Sequence, residues 1–62
     1  MFLKIKVSDK SDIFLNTDFF RICRVDVEDK SARLEIINRN GEDEIFDGIE
    51  YSGEFKDFVE GL

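Results

Sequence analysis

The residues able to do chemistry are mostly oxygen donors, and they crowd the second half of the chain. Asn38, Asn40, Asp43 and Glu44 surround Gly41, and Asp47 follows. Amide and carboxylate oxygens at such spacing suit a hard cation, either calcium or a magnesium ion beside a phosphate. The order does not follow the EF-hand pattern, and no glycine-rich phosphate loop accompanies it, so a hairpin turn and a solvated strand face account for it better. Nucleophilic catalysis needs a Ser, Thr or Cys beside a base. The 62-residue chain has no His, and Ser8, Ser11, Ser31 and Ser52 all lie where turns or caps are expected. Cys23, the only cysteine, sits in a strand of apolar neighbours and reads as a small core residue. One thiol without histidine cannot hold zinc, haem or an iron–sulfur cluster. The expectation is therefore no enzyme, no metal and no cofactor.

What remains is charge. The net charge is −6, from nine basic and fifteen acidic residues. From Glu42 onward eight acids stand against Lys56 alone, giving −7, while residues 1–41 carry seven acids and eight bases, giving +1. A concentration of acid can serve solubility, or it can steer a basic partner. Glu42, Asp43, Glu44 and Asp47 are the expected centre of a partner-binding surface, with Glu50, Asp57 and Glu60 around it. Direct nucleic-acid binding is disfavoured, since no basic run exists and the net charge repels a polyanion. Arg21, Arg24, Arg33 and Arg39 could gather on one sheet face, but pairing across strands with Asp26, Glu28 and Glu35 explains them more simply.

The elements that position these residues follow from the apolar periodicity. Leu3, Ile5 and Val7 alternate with Phe2, Lys4 and Lys6, which predicts a first strand whose lysines suit an exposed edge. A polar turn over residues 8–12 leads to a short second strand at Ile13 and Leu15, ended by Asn16-Thr17-Asp18. Phe19 to Val27 reads as one bent strand, because its apolar phase changes near Cys23 and Arg24 as a bulge would make it. A turn over residues 28–31 precedes a fourth strand, Ala32 to Ile37. Asn40-Gly41 then predicts a type I′ hairpin into a fifth strand at Glu44 to Asp47, resuming at Ile49 after Gly48. Ser52 and Gly53 can cap a helix that places Phe55, Phe58, Val59 and Leu62 on one side. The fold expected is mainly β, an α+β chain: a small curled antiparallel sheet or barrel of about five strands, closed by a short C-terminal helix. One domain should span residues 1–62, with a core of Leu3, Ile5, Ile13, Leu15, Ile22, Leu34, Ile36, Phe55, Phe58 and Val59. A chain this short buries only about 60% of the surface it exposes when unfolded, so its seven phenylalanines matter. No apolar run is long enough for a signal segment or a membrane span, and with a lone cysteine this points to the cytoplasm.

The order Leu15-Asn16-Thr17-Asp18, Ile22, Leu34, Ile36 and Asn40-Gly41 resembles the small flagellar regulatory proteins of the FlbD family. LytTR-type DNA-binding domains have a similar strand arrangement. The resemblance implies a β-rich fold and an interaction role. The segment after Gly41 is more acidic than that family's pattern, and no functional residue is carried over. Two functional readings follow. The first is a non-enzymatic binding or regulatory protein whose acidic surface engages a basic protein partner; an inhibitor of a nucleic-acid-binding protein, from a phage or mobile element, is one form of it. The second is a small structural subunit that forms homo-oligomers through a sheet edge or through exposed aromatics such as Phe14 and Phe19.

Overall fold

A computed structural model describes residues 1–7 and 12–62, so most of the expected turn over residues 8–12 lies outside the described residues. The chain runs through β1 (Phe2–Lys6), β2 (Asp12–Asn16), a 3-10 turn (Thr17–Phe19), β3 (Phe20–Glu28), β4 (Ser31–Asn38), β5 (Asp43–Glu50) and α1 (Gly53–Glu60). β1 and β2 form an antiparallel hairpin, and β3, β4 and β5 form an antiparallel meander in that order. A single bridge between Val7 and Ile49 links the two sheets. They do not close into a barrel. β1 was expected at an edge, yet β2 flanks it on one side and the end of β5 meets it on the other, so the open edges are β2, β3 and the part of β5 before Ile49.

The irregularities fall where backbone chemistry permits them. β3 is one strand with a bulge: Ile22 pairs with Ile36 and Arg24 with Glu35, leaving Cys23 as the extra residue. Cys23 is exposed there, which corrects its expected place in the core; the bulge takes it out of the inward phase. β5 is also continuous, and a second irregularity lets Asp47 and Gly48 bulge between the Leu34–Phe46 and Ala32–Ile49 pairs, with Gly48 at φ 67. A side chain would be strained at that angle. The β4–β5 connection departs from the expected type I′ turn. Only Gly41, at φ 82, takes a positive φ, and its N–H donates to the Asn38 carbonyl at 2.9 Å. The Asn38 N–H donates in turn to the Glu42 carbonyl at 2.9 Å, so the loop has three residues and ends in a left-handed glycine. The Asn38 side chain explains the preference: its Oδ1 accepts from the N–H of Asn40 at 2.9 Å and of Glu42 at 3.1 Å.

The buried core comprises Leu3, Ile5, Ala32, Leu34, Ile36, Ile49 and Phe55. Of the ten residues expected there, Ile13, Leu15, Ile22, Phe58 and Val59 are half-buried and pack around it. Ala32 and Ile49, opposite one another in the β4–β5 ladder, complete it. The helix docks by Phe55, which is 1% exposed and meets the Tyr51 ring edge to face at 6.2 Å. Fully burying a Phe or Ile side chain contributes about 1.5–3 kcal/mol, which lets an eight-residue helix persist that would melt alone. Ser52 precedes the helix as its N-cap but makes no side-chain capping bond, so packing, rather than the expected cap, holds the first turn. No helix among the described residues is long and apolar enough to cross a membrane.

Candidate functional site

β5 and the loop before it carry five of the seven acids singled out. Glu42 closes the loop opposite Asn38, its N–H donating to the Asn38 Oδ1. Asp43 opposes Ile37 on the outer face of the sheet, and Glu44 opposes Ile36 at the rim of the inner face. Asp47 sits at the bulge, where its Oδ1 accepts from the Gly48 N–H at 2.9 Å. Glu50, opposite Ser31, ends the strand beside the lysines of β1: Lys4, Lys6, Asp12 and Glu50 line one shallow groove. Asp57 and Glu60 lie on the helix, in an exposed row with Glu54 at three-residue spacing. All seven are exposed.

They do not form one patch. At about 3.3 Å per residue, Asp43 and Glu50 stand roughly 20 Å apart along the strand. Four groups result: Glu42, Asp43 and Glu44 at the hairpin, Asp47 alone at the bulge, Glu50 at the end of β5 beside Lys4 and Lys6, and the helix row. Glu54, one of the eight acids but not one of the seven expected at the binding surface, belongs to the last of these and lines a hollow with Phe2, Asp57 and Phe58. None of these acids forms an ion pair among the described residues, where the two ion pairs are Met1 N to Asp18 at 3.1 Å and Arg24 to Asp26 at 2.9 Å. Asp43 and Glu44 also occupy the part of β5 that pairs with β4 alone, beside Ile45, which is 50% exposed. Charges there keep an open edge from recruiting another strand.

The arginines distribute differently. Register sets Arg24 opposite Glu35 and Arg33 opposite Asp26, so signs alternate over the outer face. Arg39 leaves that face and stacks on Phe19, its guanidinium carbon 4.9 Å from the ring centroid. Phe19, Phe20, Arg21, Ile37 and Arg39 line an open groove of about 430 Å³. The sequence offered no signal for this groove, because Phe19 and Arg39 are brought together only by the pairing of β3 with β4. Phe14 and Phe19, noted as aromatics free to make contacts, are both exposed, Phe14 by 63%. Among the described residues no three Cys, Asp or Glu side chains are grouped to hold a metal ion. Compared with known proteins, the chain matches no family model, no curated protein and no solved structure.

Proposed function

We propose that this chain is a non-enzymatic binding or regulatory protein that engages a basic protein surface, with Glu42, Asp43, Glu44 and Asp47 as the centre of contact and Glu50, Asp57 and Glu60 extending it. The observation behind this reading is that all seven acids are exposed and none has an ion-pair partner among the described residues. At the middle of β3 and β4, by contrast, acids and bases oppose one another, as Arg24 does Glu35 and Asp26 does Arg33. Exposed carboxylates without counter-charges raise the rate of encounter with a cationic surface more than they raise affinity. Dense basic surfaces are the footprint of nucleic-acid binding, so the partner class we favour is a nucleic-acid-binding protein that this chain would inhibit.

The test begins with capture of the partner from the native host at low and at high salt. Replacing Glu42 and Glu44 by Gln and Asp43 and Asp47 by Asn should leave stability within about 0.5 kcal/mol, since these are surface positions and the Asp47→Asn amide oxygen keeps the acceptor for the Gly48 N–H. The parent's association rate should fall steeply with ionic strength, and the quadruple variant should be slower with a flatter dependence. Equal affinity and an equal salt slope in the folded variant would refute the reading. A second reading, self-association through a sheet edge, is favoured by β2 and β3, each of which pairs along one side only among the described residues.

A further inference from the structure

The edge strand of the three-stranded sheet carries a charge pattern that reverses about its centre. β3 pairs with β4 on one side, and no strand among the described residues pairs with the other. With the bulged Cys23 set aside, the strand reads Arg21, Ile22, Arg24, Val25, Asp26, Val27, Glu28. Two cations and two carboxylates thus stand at equal spacing on either side of Val25. The four charged residues share the outer face, while Ile22, Val25 and Val27 share the inner one, where Val27 is still 45% exposed.

We infer that β3 is a docking edge for a second copy of this chain, paired antiparallel about a two-fold axis at Val25. Arg21 then faces the second copy's Glu28, and Arg24 faces its Asp26. Ile22 meets Val27, and Val25 meets itself. Residues opposed in an antiparallel ladder share a face, and this register satisfies that at every pair. A slip of one residue sets apolar against charged side chains. A slip of two sets Arg24 or Asp26 against its own copy, and like charges directly opposed are destabilising. The bulge at Cys23 would hinder an arbitrary strand, but the two-fold repeats it on both sides, so two residues oppose one in each copy alike.

The interior of the chain answers only half of this pattern. Arg24 and Asp26 face Glu35 and Arg33 across β4, and they bond to each other at 2.9 Å. Arg21 and Glu28 face Ile37 and Ser31 instead, and neither forms an ion pair among the described residues. The two charges that the fold leaves unanswered are the two that self-pairing answers. The four together are neutral, and pairing at β3 sets the two β5 strands five strand spacings apart, about 24 Å, where their acids are screened from each other.

This inference rests on the self-association reading and supplies its edge and register. The test is sedimentation over a range of concentrations for the parent, R21E, E28K and an equimolar mixture of the two variants. The parent should show a monomer–dimer equilibrium that weakens with salt. Each reversal puts two like-charge pairs across the axis and should raise the dimer dissociation constant about tenfold or more. In the mixture every reversed side chain faces an opposite charge, so dimer should return. In-chain effects cannot produce that recovery, because each chain is the same alone and mixed. Both positions are exposed, and matching circular dichroism would show that the variants are folded. A parent that stays monomeric at the highest concentration, or a mixture no more dimeric than its components, overturns the inference. The quadruple variant of the β5 acids should keep the dimer, which separates failure here from failure of the acidic-surface reading.

Discussion

Asn38 concentrates the work of a turn into one side chain. Its backbone N–H and carbonyl close the loop, and its Oδ1 accepts two further N–H groups, those of Asn40 and Glu42. The same oxygen that suggested a cation ligand in the sequence is therefore spent on the backbone. Because the turn is exposed, water can replace part of what is lost when the side chain is removed, and the net worth of such bonds is modest. Asn38→Ala should cost about 1–2 kcal/mol in urea denaturation, while Asn38→Asp, which keeps the acceptor, should recover most of it. Equal losses in the two variants would mean that the Oδ1 bonds contribute little to the turn.

At the scale of elements, the strands, the bulge at Cys23 and the helix were legible because each rests on local periodicity. A change of apolar phase between Ile22 and Val25 is visible in the sequence, and so is the helical spacing of Phe55, Phe58 and Val59. What was not legible depends on partners distant in sequence. Ala32 is small and Ile49 follows a glycine, and only their opposition in the ladder shows that they complete the core. Likewise the acids were legible as charge but not as a surface, because a strand with a bulge and a helix docked by Phe55 turn them in different directions. The helix itself offers a graded check. Phe55 is buried and Phe58 half-buried, so removing the first leaves a larger cavity. Phe55→Ala should cost about 3–5 kcal/mol and Phe58→Ala clearly less, both in equilibrium unfolding monitored by circular dichroism. The reverse order would mean that the helix docks by its other end. A loss on the Phe55 scale is a large part of the stability a domain this small can have.

The whole molecule exposes 4544 Å², against roughly 4,200 Å² for a compact protein of 7.3 kDa, as an open curled sheet should. On that surface a net charge of −6 is unevenly spread, and none of the acids from Glu42 onward forms an ion pair among the described residues. Folding gathers these carboxylates, which a longer unfolded chain holds further apart, so their mutual repulsion opposes the native state. Salt should relieve it. Raising NaCl from about 0.01 M to about 0.15 M shortens the screening length from about 30 Å to about 8 Å, less than half the roughly 20 Å between the ends of β5. The melting temperature should rise over that range by several degrees, corresponding to about 0.5–1 kcal/mol in a domain of this size. Chloride is the right anion for the measurement, because sulfate would strengthen apolar burial as well. The protein must be dilute enough to be monomeric, so that loss of paired β3 edges with salt does not oppose the effect. Neutralising Glu42, Asp43, Glu44 and Asp47 removes four of the six net charges, and the same titration on that variant should give a smaller rise. A melting temperature that stays flat or falls with salt in the parent would mean that the acids are too dispersed to repel one another, which would also weaken the case for their acting together on a partner.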